Sequence, residues 1–256
     1  MRKLLFIAVA TSLVALAPLA TAQDENVVGM MVHVKPKAGM KDKWEEGAKK
    51  HMAFHREKGD SWQWLFWEIV SGENVGDFVV GSFEHKWADF DNMPVTGPED
   101  AADLKINGDP YTESANVKYI EDMLKHSVAP AEGTPPAKLV TLVTVHVKPD
   151  MVEGYLNAVS KIPEALAKAG SDTKYYFSRA VTGGRQPSFI IFFPHQSWAE
   201  MGPSGTPLRK ILEEAYGRTE ADSILRALDE ASYDMRTTIL AYREDLSYMP
   251  GSPTSD

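Results

Sequence analysis

The sequence predicts an α+β protein built from two similar halves, and three observations carry that reading. First, Val32-His33-Val34-Lys35-Pro36 returns as Val145-His146-Val147-Lys148-Pro149. Further on, Val70-Ser71-Gly72, Phe78-Val79-Val80 and Trp87-Ala88 return as Val181-Thr182-Gly183, Phe189-Ile190-Ile191 and Trp198-Ala199. The offset is 113 residues at the first match and 111 afterwards, which a two-residue deletion after Pro149 explains. Second, each half orders its patterns as strand, helix, strand, turn, strand, helix, strand. Third, the Pro-rich stretch from Ala129 to Ala137 lies between the copies. It cannot pair as a central strand and reads as a linker.

The elements follow from local composition. Val27 to Lys35 and Leu139 to Lys148 are rich in Val, Met, Leu and Thr, which suits strands. Met40 to Lys58 carries helical periodicity. Trp62 to Val70 and Asp77 to His85 flank Ser71-Gly72-Glu73-Asn74 and form a hairpin, repeated around Thr182-Gly183-Gly184-Arg185. Leu208 to Ala231 is a second helix and Met235 to Tyr242 a closing strand. Glu99 to His126 is less regular and is expected to hold a helix and a short strand. His85 and His126, among polar neighbours, are expected at the surface.

Residues 1–22 have the form of a secretory signal peptide. Arg2 and Lys3 precede an apolar run from Leu4 to Leu19, and Ala20-Thr21-Ala22 suits cleavage. This segment carries two basic residues and no acidic one, so its removal from 256 residues at net −9 would leave 234 at net −11. The expected organisation is signal peptide 1–22, first unit 23–128, linker 129–137, second unit 138–248 and a flexible tail 249–256. The expected location is periplasmic or secreted. With no cysteine, such a protein is held by its core alone, which suits a bacterial periplasm. The acidic balance excludes a phosphate-backbone binder, so no nucleic-acid partner is expected. No membrane association is expected once the leader is gone, and pairing into homo-oligomers stays open.

At the level of pattern the chain resembles the dimeric α+β barrel superfamily, of the ABM and stress-responsive A/B barrel type. The likeness covers nearly all of residues 27–246. It rests on the first strand ending in Val-Lys-Pro, the hairpin after the helix, Trp87 and Trp198 beyond the third strand, and the closing Tyr242-Arg243-Glu244-Asp245-Leu246-Ser247. The resemblance implies two ferredoxin-like βαββαβ units whose sheets form the barrel within one molecule. It also implies a range of activities, among them monooxygenases, isomerases, haem-degrading enzymes and chlorite dismutase-like haem proteins, so fold does not decide function.

The halves differ at one place that bears on chemistry. With Trp44 as zero and about 100° per residue, Ala48 lies near +40°, His51 near −20° and His55 near +20°. Both imidazoles are therefore expected along the stripe that faces the sheet. The aligned residues of the second half are Ile162 and Leu166. Histidines at i and i+4 can share a metal, one can ligate haem, or one can act as acid–base near neutral pH. The plainer alternative is a pair of core histidines with satisfied hydrogen bonds.

His51 and His55 are the candidate catalytic residues, and the only candidates for metal ligation. Trp44, Trp64, Phe66 and His33 are the candidate ligand-binding residues, although His146 repeats His33, which suits an architectural role. The expected function is binding or transforming a small aromatic or apolar molecule in a helix–sheet pocket of the first unit. If the protein is an enzyme, the resemblance implies a cofactor-independent monooxygenase or isomerase. The alternatives are a haem or divalent-metal protein using His51 or His55, and a non-catalytic binding or interaction module. A close chlorite dismutase match is disfavoured because that family places its haem histidine in the second repeat. A haem-degrading match is disfavoured because the asparagine of that family's first strand is missing between Val27 and Lys35. Gly-x-Gly-x-x-Gly, His-Glu-x-x-His and Gly-x-Ser-x-Gly motifs are all absent.

Overall fold

The computed structural model describes residues 27–251 apart from 132, 133, 135, 203 and 204. The expected signal peptide, residues 1–22, lies outside the described residues, as does most of the expected tail. The first half runs β1 (Val28–Pro36), α1 (Lys41–Glu57), β2 (Leu65–Ser71), β3 (Phe78–His85), α2 (Pro98–Asn107) and β4 (Thr112–Asp122). The second runs β5 (Leu139–Val147), α3 (Val152–Val159), α4 (Ile162–Lys168), β6 (Tyr176–Ala180), β7 (Ser188–His195), α5 (Leu208–Tyr216), α6 (Arg218–Ala231) and β8 (Ser232–Tyr242). Among the described residues, no helix is long and apolar enough to cross a membrane.

All eight strands form one closed antiparallel barrel in the order β1-β3-β2-β8-β5-β7-β6-β4. Each half contributes four neighbouring strands in equivalent order, β2-β3-β1-β4 and β6-β7-β5-β8. The halves join where Trp67, Glu68 and Ile69 of β2 pair with Tyr242, Ala241 and Leu240 of β8. They join again where Ile120, Glu121 and Asp122 of β4 pair with Ala180, Arg179 and Ser178 of β6. Closure leaves no free sheet edge.

Strand alternation sorts the side chains into three cores. Met31, Ile69, Val79, Ile120, Val140, Ala180, Ile190 and Leu240 fill the barrel. Val34, Trp44, Ala48, Met52, Phe66, Phe78 and Val80 bury the face between the first sheet and α1. The matching layer of the second half includes Val145, Tyr155, Ala158, Leu166, Phe177, Phe189 and Ile224.

Four features depart from the sequence expectation. The less regular end of the first half holds α2 and an 11-residue β4 rather than a short strand. The helix expected over 208–231 breaks at Gly217, whose φ of 81° is costly for other residues. The first helix of the second half is also split, into α3 and α4. Pro163, which lacks an amide hydrogen, stands there where the first half has Met52. A fourth difference concerns His85, which is buried rather than exposed. Glu84 has a φ of 67°, the pairing between β1 and β3 shifts register there, and the turn carries the His85 ring inward onto Trp62. The rings stack at 3.7 Å, and His85 Nε2 lies 2.7 Å from Ser82 Oγ.

Two contacts place α1. Arg243, just beyond β8, donates to both carboxylate oxygens of Glu45 at 2.9 and 2.8 Å, to Glu68 at 3.2 Å and to Asp245 at 2.9 and 3.0 Å. It ties α1 to the β2–β8 joint. The Arg243 bond holds the Asp245 carboxyl down at about 2 against an ordinary 3.8, although partial burial pulls the other way. On the opposite flank Gly47 lies against the end of α2. A β-carbon at Gly47 would sit 1.8 Å from the Asn107 carbonyl oxygen, so the helices approach at a distance only glycine allows.

Two predictions follow from these contacts. Gly47→Ala must push α2 away and lower stability by about 1–3 kcal/mol or more, read as a lower urea midpoint. The Asp245 pair contributes fully above about pH 4 and fades as pH falls toward about 2. Asp245→Asn should therefore flatten that part of a stability-against-pH curve and leave the curve's shape near neutrality unchanged.

Candidate functional site

A cluster of five polar side chains lies between α1, α2 and the turn after α1. His51 and His55 stand one turn apart on α1, and Asp100 and Asp103 stand at i and i+3 on α2, so each pair shares a helix face. Asp60 is supplied by the helix end. Gly59 adopts φ 68°, and the Gly59 and Asp60 amides donate back to the Arg56 and His55 carbonyls at 3.1 and 3.0 Å.

Asp60 is tied on every side. Its Oδ2 lies 2.6 Å from His55 Nδ1 and accepts from Trp64 Nε1 at 2.9 Å. Its Oδ1 accepts from the Trp62 amide at 2.9 Å, and its backbone carbonyl accepts from the Tyr248 hydroxyl at 2.6 Å. On the other imidazole, His51 Nδ1 lies 2.8 Å from Asp103 Oδ1, and Asn107 donates to Asp103 Oδ2 at 3.1 Å. A carboxylate only accepts, so each Nδ1 carries a hydrogen and each neutral ring turns its lone pair out at Nε2.

Those two Nε2 atoms meet. They are 3.1 Å apart with the ring planes at 87°. Asp100 Oδ1 lies 3.6 Å from His51 Nε2 and 3.5 Å from His55 Nε2, and it is a buried oxygen with no hydrogen-bond partner. The side chain of His55 is 3% exposed, that of His51 12% and that of Asp100 21%, so the cluster is sealed on the His55 side and reached from solvent past His51 and Asp100. Burial holds His51 below the usual histidine range despite its bond to Asp103. Burial also pushes His55 down, but the hydrogen-bonded Asp60 and the nearby Asp100 carboxylate outweigh this and raise it.

The structure separates the residues expected to act together. Trp64 belongs to the cluster, with its ring 5.5 Å from that of His55. Trp44 and Phe66 do not. Trp44 stacks on Phe78 at 4.3 Å with its Nε1 on Thr112 Oγ1 at 3.2 Å, and Phe66 is buried beside it. These rings fill the helix–sheet layer. The stripe of α1 that meets the sheet is Trp44, Ala48 and Met52, and the close approach at Gly47 puts α2 on its other flank. The histidines therefore face the groove between α1 and α2 rather than the middle of the sheet. His33 lies elsewhere, at the barrel side of β1, with Nε2 2.9 Å from Asp77 Oδ2. His146 has a looser counterpart in Asp234 at 3.8 Å.

Asp60, Asp100 and Asp103 were not among the residues singled out from sequence. The one local signal was Gly59 closing the helix just before Asp60. Haem does not suit this arrangement, because each Nε2 lies against the other ring and Asp100, at 3.1–3.6 Å, where an axial ligand would need the porphyrin face.

No protein-family model and no curated protein matches this chain. Solved structures share its fold. A protein from Lactobacillus acidophilus assigned as a monooxygenase superposes with a TM-score of 0.54 at 12% identity, covering 91% of this chain and 100% of its own. An anthrone oxidase-like protein superposes with 0.55 at 13% identity, covering 90% and 95%. A chlorite dismutase variant from Candidatus Nitrospira defluvii superposes with 0.52 at 8% identity, covering 86% and 94%. At such identities the likeness establishes the dimeric α+β barrel fold.

Asp60→Asn tests how the His55 ring is held. Losing a charge-assisted partner at a buried imidazole should lower stability by about 1.5–3 kcal/mol in urea unfolding. A loss under 0.5 kcal/mol, within the range of an ordinary surface change, would mean that Asp60 does not position the ring.

Proposed function

We propose that this chain transforms a small molecule at the cluster of His51, His55 and Asp100, with the second half serving as scaffold. One observation carries the reading: two imidazole Nε2 atoms and a carboxylate oxygen without a hydrogen-bond partner converge in a largely buried groove, where the aligned positions on the other half are Ile162 and Leu166. Desolvating such groups costs stability unless they are matched to something. A duplicated scaffold could have kept apolar residues there, as its second copy does. The groups converge at their reactive ends while their Nδ1 ends are fixed by Asp60 and Asp103, an arrangement suited to chemistry.

The class of molecule follows from the walls. Phe54 stacks near His51 at 6.1 Å and Trp64 lies beside His55, so the surroundings favour an apolar or aromatic compound. Fold neighbours described as monooxygenase and anthrone oxidase-like proteins are consistent with oxidative chemistry on such compounds. The leader-like residues 1–22 support work outside the cytoplasm, and the repeated motifs support an origin by tandem duplication.

The test is the double variant His51→Leu/His55→Leu, which copies the apolar character of the second half. Hydroxylated aromatics (naphthols, quinols and anthrones) are screened by thermal shift and oxygen uptake. The wild type should be stabilised by at least one compound, by about 2.7 kcal/mol at a hundredfold excess over Kd. The variant should keep its circular dichroism spectrum and lose the response. Equal responses in both proteins would remove the cluster from the function.

A further inference from the structure

We propose that His51 Nε2, His55 Nε2 and Asp100 Oδ1 together bind one divalent first-row transition-metal ion. This deepens the reading above and rests on it only in taking the same cluster as the reacting centre.

The geometry argues first. The three atoms form a triangle with edges of 3.1, 3.5 and 3.6 Å, and the point equidistant from them lies about 2.0 Å from each. Zinc binds imidazole nitrogen and carboxylate oxygen at about 2.0–2.2 Å. An ion near that point needs no movement of α1 or α2.

The hydrogen bonding argues independently. Metal-bound histidines hand their other ring hydrogen to a carboxylate or carbonyl, which fixes the tautomer and makes the ligating nitrogen more basic. Both rings do this, His55 to Asp60 and His51 to Asp103. Asp60 is itself held by Trp62, Trp64 and Tyr248, and Asp103 by Asn107. These carboxylates are positioning residues, not ligands.

Charge supplies the third argument. Two outward lone pairs and a carboxylate oxygen cannot face one another at these distances without a positive charge between them. Three carboxylates, of Asp60, Asp100 and Asp103, surround two imidazoles. A divalent ion engages all three inward atoms.

The donor set narrows the ion. Two nitrogens and one oxygen suit Zn(II), Fe(II), Mn(II) or Co(II), and they disfavour calcium and magnesium, which take oxygen, and Cu(I), which takes sulfur. Three protein ligands leave coordination positions open for water or substrate, as at a catalytic rather than a structural centre. The open positions must lie toward His51 and Asp100, where the cluster meets solvent.

The experiment uses the full chain, free of any affinity tag and stripped with chelator, titrated with Co(II) and Zn(II). The expected result is one ion per chain by calorimetry, with Co(II) giving visible d–d bands of a site carrying imidazole ligands. Asp100→Asn removes a ligand at a position whose side chain is 21% exposed and should keep the fold. It should weaken Zn(II) binding at least tenfold, and Asp103→Asn, through the second sphere, by about 10–100-fold. Affinity unchanged in both variants, or no ion bound by wild type, overturns the proposal. If wild type binds no ion yet its response to aromatics still depends on His51 and His55, the metal proposal falls while the proposed function stands. If one ion binds through these residues but no small molecule depends on them, the metal site stands and the proposed function falls.

Discussion

The cluster depends on how closely α2 can lie against α1, and that distance is set by a missing side chain. Gly47 meets the Asn107 carbonyl where a methyl group would overlap it. Glycine inside a helix costs about 0.5–1 kcal/mol relative to alanine, so the contact is maintained against local preference. The aligned residue of the second half is Ala158, buried in an ordinary apolar core. The glycine that lets α2 approach and the carboxylates that α2 presents belong to the same local design, and both are confined to one half.

This asymmetry sits on a scaffold of equal parts. Each half supplies the same four-stranded arrangement, and the two joints, β2 with β8 and β4 with β6, close the barrel at equivalent places. The second half spends its corresponding helix positions on packing, with Leu166 buried in that layer and Ile162 packed against it. The stability cost of desolvating carboxylates and imidazoles thus falls on a protein whose other helix–sheet layer is apolar. A rigid frame suits a site that must keep five side chains in register.

The strands, the hairpins and the first helix were legible because side-chain alternation and turn glycines are local signals. The pair His51 and His55 was legible because the chain contains its own comparison, with Ile162 and Leu166 at the aligned positions. Their direction was not, since a helical wheel assigns a stripe without saying which neighbour covers each flank, and α2 took the flank beside Gly47. Asp100 looked like any acidic residue near a helix start, a place that favours it for reasons unrelated to ligands, and Asp103 like an ordinary acid further along the same helix. Only tertiary placement gives them partners. The inward turn of His85 was hidden for a different reason, because it follows from a left-handed backbone at Glu84, a residue type that rarely adopts it. Trp44 and Phe66 read equally well as pocket lining or as core, and packing decided for core.

Tyr248 lies beyond the last strand, yet its hydroxyl bonds the Asp60 carbonyl and its backbone pairs with Trp64 in both directions at 2.8 Å. Arg243 reaches α1 from the same segment. During synthesis the histidines leave the ribosome long before these residues do. The first half's polar centre therefore waits, incomplete, for the far end of the polypeptide, and a protein severed between its halves would part with the piece that braces its own earliest helix.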